Sequence, residues 1–497
     1  MLPRPAQPYR GPAAYDPAMA FRNAFGRPPA VAAEAMVATS QPAATRAGLR
    51  VLERGGNAAD AAVAAAAVLC VTEPMSTGVG GDCFALCWHD GHLQGLDAAG
   101  PAPLGATPTQ PVAQAGPTSA TVPGAVAGWS ALLERYGTLG LDTLLADAIN
   151  AAERGFAVSP MCAYYWQMAE RAPEAFGPVP KVGDRHRLPE LAATLRRITE
   201  LGPDGFYRGP IAEALAAASW LELADLDAYE PRWVEPLRLA YRGVDVIELP
   251  PPNQGVVALE ALGLLERRDE PTLAAQVDCV RLALEDGLAR VRDGADVSEL
   301  ISPDYLEYRG GRQSKPVAEP PGGTVYLCTV DGDGLAVSFI QSVFEAFGSG
   351  VVAPGTGIVL QNRGACFSVG GAVEPGRRPY HTIIPGMLVS DGELVGPFGV
   401  MGGFIQAQAH VQLVHGLVDL ELDPQAALDR PRFRVDGQAL RLEEGLWDRA
   451  SELDRCVLEI IHEPEVAGFG GGQAILVQGD VLVGGSDPRK DGYAAGF

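Results

Sequence analysis

Residues 324–343, TVYLCTVDGDGLAVSFIQSV, hold two runs of β-branched and aromatic residues around the acidic glycine turn Asp331–Gly334. Such runs joined by a D-G turn predict two antiparallel strands. The segment just ahead of them, RGGRQSKPVAEPPGG at 309–323, combines Gly, Pro and charge without periodicity and reads as a mobile, solvated connection. A strand pair that starts abruptly at Thr324 must find cover for its apolar face elsewhere in the chain.

Working outward, TIIPGMLV, ELVGPFGV, AILVQG and VLVGGSD read as further strands in the second half, with a helix at about Gly403–Leu417. The first half is mainly helical. AATRAGLRVLERGGN ends at Gly55–Gly56, and Asn57 caps AADAAVAAAAVLCV, a helix apolar on nearly every side and so expected to be covered all round. Helical stretches also run from about Gly124 to Arg154 and onward to about residue 230, from about Val256, and over roughly Ala274–Arg292, while VDVIEL reads as a strand ended by three prolines. One domain with helices on both sides of two packed sheets uses both halves at once. The alternative, two domains split near residue 320, leaves the 324–343 pair poorly covered.

CFALCWHDGHLQGLD reads as a hairpin about Asp90–Gly91. The spacing of Cys83, Cys87, His89 and His92 superficially resembles a zinc set. Period-two alternation instead places Cys83, Ala85 and Cys87 together on an inward face as small buried thiols, so no metal is expected. GVGGD and GFGGG lack the strand, spacing and acidic partner of a dinucleotide site, and no organic cofactor is expected either.

Bulk properties exclude several function classes. A formal charge of -23 disfavours nucleic acid and anionic membranes as partners. The apolar run Ala58–Val71 is too short to span a bilayer. Residues 1–35 read as an extended leader without the apolar core of an export signal. Eight cysteines without paired spacing suit free thiols, and the expected compartment is the cytoplasm.

Alone, a threonine opening a strand after Gly322–Gly323 is a weak signal. Its surroundings add more: VATSQPAATRAGLRVLERGGNAADAAVA, VTEPMSTGVGGDCF, TVPGAVAGW, GFYRG, LADLDAYEPRWVEPL, ELPPPNQG, TVYLCTVDGDGLAVSFIQS, FGSGVVAPGTGIVLQN, EPGRRPYHTIIP, GVMGG and SDPRKDGYAAG. In order and spacing, from about residue 36 to the C-terminus, these pieces resemble the gamma-glutamyltranspeptidase family. The resemblance implies an α+β fold: a four-layer αββα sandwich of two packed, mainly antiparallel sheets flanked by helices, with residues 36–497 as one domain. It also implies a precursor cut between Gly323 and Thr324 into a large chain, 1–323, and a small chain, 324–497, that stay together, either as one heterodimer or as a homodimer of heterodimers.

The chemistry of such a cut follows from the hydroxyl. It is a poor nucleophile without a base, and once Thr324 is N-terminal its own α-amine supplies one. By resemblance, Gly402 and Gly403 are the oxyanion donors and Ser342 orients the nucleophile. The recognition positions depart from the transpeptidases. Ala99 stands where they keep an arginine clamp, Phe344 and Cys366 where they keep an asparagine and an aspartate, and Tyr380, His381 and Thr382 follow Arg378-Pro379 in place of paired serines. These changes remove charge-assisted bonds to a glutamyl zwitterion. They point to an amidohydrolase or acylase for small amides such as glutaryl amides or oxamate, with His381 available to a carboxylate. Two alternatives are a true gamma-glutamyl hydrolase or transferase acting on glutathione-like substrates, and an unprocessed, catalytically silent binding protein.

Overall fold

The computed structural model describes residues 26–107, 112–316, 322–370, 372–456 and 458–497. Its frame is a pair of seven-stranded sheets, each antiparallel throughout. Fourteen strands build them, here numbered in chain order: β1 (Ala30–Ala32), β2 (Met36–Thr39), β3 (Asp82–His89), β4 (His92–Ala98), β5 (Arg232–Val234), β6 (Leu237–Tyr241), β7 (Val244–Glu248), β8 (Gly323–Val330), β9 (Ala336–Phe344), β10 (Gly386–Ser390), β11 (Glu393–Met401), β12 (Gly471–Gln478), β13 (Val481–Ser486) and β14 (Tyr493–Gly496). One sheet has the order β14-β2-β8-β9-β3-β4-β5, the other β1-β13-β12-β11-β10-β7-β6. Both sheets mix strands from before and after residue 320, so one core draws on both halves.

Period-two alternation sorts side chains between layers. Phe84, Leu86, Tyr326, Cys328 and Ile340 face the space between the sheets, where they meet Ile247, Met387, Met401 and Ile475. Their sequence neighbours Cys83, Ala85, Cys87, Val325, Leu327 and Phe339 face the opposite way, under α1 (Pro42–Glu53), α2 (Ala58–Thr72) and α3 (Ala125–Tyr136). On the other sheet, Val246, Leu388, Phe398 and Val400 pack under α4 (Gly255–Glu266), α5 (Leu273–Arg290) and α6 (Ile405–Val414). The result is the αββα sandwich.

Small residues on both partners let α2 lie close to its sheet. Every residue of α2 is buried, and its start is fixed by a capping box between Asn57 and Asp60. In so tight a layer an added methylene group costs about 1–3 kcal/mol. The hairpin at Asp90–Gly91 forms with both residues at positive φ, as a two-residue turn needs. Cys83 and Cys87 point under α2 while His89 and His92 sit at the exposed end of the hairpin, so geometry separates the four apparent ligands.

Three regions differ from the sequence expectation. Of the leader, residues 1–25 lie outside the described residues, yet Ala30–Ala32 already pair with β13, so the sheet begins ahead of residue 36. Of the 309–323 connection, residues 317–321 lie outside the described residues, and a helix at Pro303–Gly310 extends into its start. A third, three-stranded sheet (Phe433–Asp436, Ala439–Leu442, Glu459–His462) was not expected, because its strands are short and one pairing is parallel.

Candidate active site

Thr324 is the second residue of β8, on the inter-sheet face shared with Tyr326 and Cys328. A register shift between Gly323 and Val325 sets it opposite the end of β9, where Ser342 lies on the same face. Thr324 Oγ1 is 2.6 Å from the carbonyl oxygen of Gly323 and 3.4 Å from Ser342 Oγ. Ser342 Oγ donates to that same carbonyl at 2.6 Å and accepts from Phe344 N at 2.8 Å. Gln406 Nε2, from α6, donates to Thr324 Oγ1 at 3.3 Å. The hydroxyl is therefore seated against the peptide unit that precedes it, and a second hydroxyl polarises that carbonyl.

The other sheet supplies the facing turn. β11 ends at Met401, and Gly402 and Gly403, at φ +131° and +73°, lead into α6. A Cβ on Gly403 would lie 2.9 Å from Gly322 N, and one on Gly322 would lie 2.9 Å from Gly403 Cα. Such contact is open only to glycine. Thr324, Gly323, Gly322 and Gly402 line a cleft of about 350 Å³, with Tyr164, Met168, Arg171, Glu345 and Lys490 in its walls. Arg171 Nη1 pairs with Glu345 Oε2 at 2.5 Å, and Lys490 lies over the Tyr165 ring.

The six positions expected to line the acyl pocket fall into two groups. Phe344, Cys366 and Tyr380 join Phe404 in one buried cluster behind the nucleophile, with Thr382 buried beside it. Tyr380 stacks on Phe404, and its hydroxyl donates to Gln254 Oε1 at 3.0 Å. Burial pushes the Cys366 thiol up to about 11, so it stays protonated. Ala99 is elsewhere, packed in the inter-sheet core, its carbonyl taking Arg378 Nε and the Tyr229 hydroxyl.

His381 requires a correction. Its Nε2 lies 3.1 Å from Asp82 Oδ2, its ring meets Phe84 edge-on, and it is fully buried. Burial, reinforced by Arg363 and Arg378, holds its pKa well below the usual imidazole value. Asp82 holds Nε2, Nδ1 has no partner among the described residues, and the ring does not line the cleft, so the structure does not bring His381 to the cleft. Burial pushes Asp82 up to about 7, while Arg363 and the N–H groups of Gln361, Gly100 and Gly124 favour its ionised form.

Three polar residues at the centre of the site carried no sequence assignment: Arg363, Gln406 and Gln254. Arg363 is fully buried, with Nη1 on Thr382 Oγ1 at 2.9 Å and Nη2 on Ser342 Oγ at 3.3 Å. Gln254 Nε2 donates to Thr382 O at 2.6 Å. Gln254 lies inside a motif quoted above, ELPPPNQG, and Arg363 directly follows another, FGSGVVAPGTGIVLQN. Their position in or beside these matching motifs was the available signal.

A strand-opening threonine seated on the carbonyl that precedes it, at the mouth of a two-sheet sandwich and facing a glycine turn, is the arrangement expected of an amide-cleaving enzyme of the N-terminal-nucleophile class. Residues 44–497 match the family model described as Gamma-glutamyltranspeptidase. The oxamate amidohydrolase proenzyme of Klebsiella pneumoniae is 34% identical, over 94% of this chain and 99% of its own. The glutathione hydrolase-like YwrD proenzyme of Bacillus subtilis is 33% identical, over 93% and 98%. The crystal structure of cephalosporin acylase from Bacillus halodurans superposes with a TM-score of 0.88 at 40% identity, covering 100% of this chain and 99% of that one. The chain belongs to the gamma-glutamyltranspeptidase family. It is an amidohydrolase or acyltransferase of that family.

Proposed function

We propose that Thr324 first opens its own N-terminal peptide bond and then serves as the nucleophile of a hydrolase for small amides. The observation that carries this reading is the shared carbonyl: Thr324 Oγ1 and Ser342 Oγ each lie 2.6 Å from Gly323 O. Attack of Oγ1 on the Gly323 carbonyl carbon moves the acyl group from nitrogen to oxygen, and the nitrogen leaves as an α-amine. Water opens the resulting ester to give a Gly323 carboxylate and a free Thr324. The amine then takes the Oγ1 proton as the hydroxyl attacks a substrate amide, the leaving amine takes that proton, and water releases the acid from the acyl-enzyme.

In turnover the oxyanion forms beside the Gly402–Gly403 turn, whereas in processing the Gly323 oxygen lies on Ser342 Oγ. Removing one such donor typically costs on the order of a hundredfold or more in rate. Ser342 and Gln406 hold the hydroxyl. Phe344, Cys366, Tyr380 and Thr382 shape the acyl side of the pocket, and Ala99 marks the lost clamp. The products of processing are chains 1–323 and 324–497, which share both sheets and stay associated as one domain. The names of the relatives suggest oxamate-like or acylase substrates. The seven described cysteines are free thiols, which supports a reducing, cytoplasmic setting. Among the described residues no helix is long and apolar enough to cross a membrane.

The test is a screen of the processed protein with oxamate, a glutaryl amide and glutathione, each followed by release of its amine or ammonia. Turnover of the first two well above glutathione is the expected result. Preference for glutathione would favour the gamma-glutamyl reading, to which the YwrD-like relative's name points.

A further inference from the structure

Arg363 carries a charge that the surrounding protein does not match. It is fully buried, and among the described residues no carboxylate lies within ion-pair distance of it. Its partners are neutral: the hydroxyls of Thr382 and Ser342, the Cys366 thiol at 3.9 Å, and the face of the Phe344 ring 4.4 Å away. Among the described residues its Nε has no partner. The carboxylates that act on it from farther off, Asp82 and Glu345, are committed elsewhere. Asp82 takes Gly100 N, Gly124 N, Gln361 and His381. Glu345 takes Arg171 and Asn362. A desolvated guanidinium without a carboxylate is costly, and its planar fork suits a two-oxygen anion better than two hydroxyls.

We propose that Arg363 binds the free carboxylate of the substrate's acyl group, and that the substrates are monoamides of short dicarboxylic acids. The proposal rests on the amidohydrolase reading above. Arg363 Nη2 is two hydrogen bonds from Thr324 Oγ1, through Ser342. At about 1.5 Å per C–C bond, that gap suits a diacid of about two to four carbons. Phe344, Cys366 and Thr382, three positions at which recognition groups of the transpeptidases are replaced, touch the guanidinium together with Ser342. Arg363 does not itself line the cleft, so the proposal requires that the Gly323 carbonyl, which takes Ser342 Oγ in the unbroken chain, leaves before substrate reaches it.

The experiment compares processed wild type with Arg363→Gln and Arg363→Lys on matched amides: malonamate with malonamide, and succinamate with succinamide. Wild type is expected to favour each acid over its diamide. Arg363→Gln is expected to lower the ratio of kcat/KM on each acid to that on its diamide by about 100-fold, the loss that two charge-assisted bonds represent, whatever common loss follows from its contact with Ser342. Arg363→Lys, which keeps the charge and loses the fork, is expected to fall between. Equal losses on acids and diamides, or a wild-type preference for diamides, would overturn the proposal. Calorimetric binding of malonate to processed wild type gives a second readout that needs no turnover. Binding that weakens at least about tenfold in Arg363→Gln, or in Arg363→Lys if the glutamine variant does not process, supports the assignment. Unchanged binding, or none to wild type, refutes it. Wild type that binds malonate yet cleaves no amide would instead count against the amidohydrolase reading while leaving Arg363 as an anion site.

Discussion

Gly322 and Gly403 press together beside the Gly323–Thr324 bond, and the two glycine pairs to which they belong are glycine for different reasons. Gly402 and Gly403 have φ of +131° and +73°, a backbone that other residues adopt only under strain. Gly322 is limited by space, because a Cβ there would lie 2.9 Å from Gly403 Cα, whereas a Cβ on Gly323 would have its nearest neighbour at 3.4 Å. One pair shapes a permanent part of the site. In the proposed processing the other is needed only while the chain is whole, since cleavage would turn it into a free end. The comparison separates residues of the catalyst from residues of its own first substrate.

The largest expected effect comes from removing the group both stages share. Thr324→Ala is expected to stay a single chain and to lose amidase activity by on the order of 10⁴-fold or more. Gly403→Ala combines a strained φ with the contact at Gly322, and should slow both processing and turnover by about a hundredfold, followed by gel and by kcat/KM. Ser342→Ala removes the donor to the scissile carbonyl, and should slow processing by about tenfold. Gly322→Ala sharpens the comparison most: processing slows by about tenfold through overpacking, while the processed enzyme keeps the wild-type kcat/KM. Equal damage by Gly322→Ala and Gly403→Ala to the processed enzyme would break the distinction.

The smallest effect concerns the strand leading into the Gly402–Gly403 turn. Val400 N donates to His410 Nε2, and His410 Nδ1 lies 2.6 Å from Glu248, both side chains fully buried. Burial and nearby Arg432 lower His410 from 6.5 to about 3. Between those values the unfolded chain binds a proton that the folded chain refuses, so this contribution to stability is complete above pH 6.5 and is lost as pH falls toward 3. Burial raises Glu248, the partner of His410, which acts in the opposite sense as pH rises. His410→Gln keeps an acceptor for Val400 N and has no proton to gain. Its thermal midpoint, below wild type at pH 7.5, should approach wild type as pH is lowered through 6 to 5.

Much of the frame was legible because alternation and capping are local. The hairpins at Asp90–Gly91 and Asp331–Gly334, the all-buried helix after Asn57 and the sharing of strands across residue 320 all follow from pattern. The gathering of Thr324, Ser342, Gly402 and Gly403 at one edge followed from the family resemblance instead, since a strand serine or a glycine turn carries no chemistry by itself. Arg363 stayed hidden because an arginine in a short polar motif is most often a surface residue, and only packing shows it enclosed. His381 was misread for the converse reason: a histidine suggests a ligand group, but its partner Asp82 is nearly three hundred residues away in sequence. The cleft wall from Tyr164 to Arg171 belongs to a helix and loop whose local sequence gives no sign of the cleft they face.

The central claim is that one hydroxyl both cuts the chain and performs the chemistry, and intact mass with N-terminal sequencing tests it most directly. Purified wild type should resolve into two fragments, the smaller beginning Thr-Val-Tyr at Thr324, and Thr324→Ala should remain whole. A wild-type chain that stays in one piece, or a cut at another bond that persists in Thr324→Ala, would contradict the account.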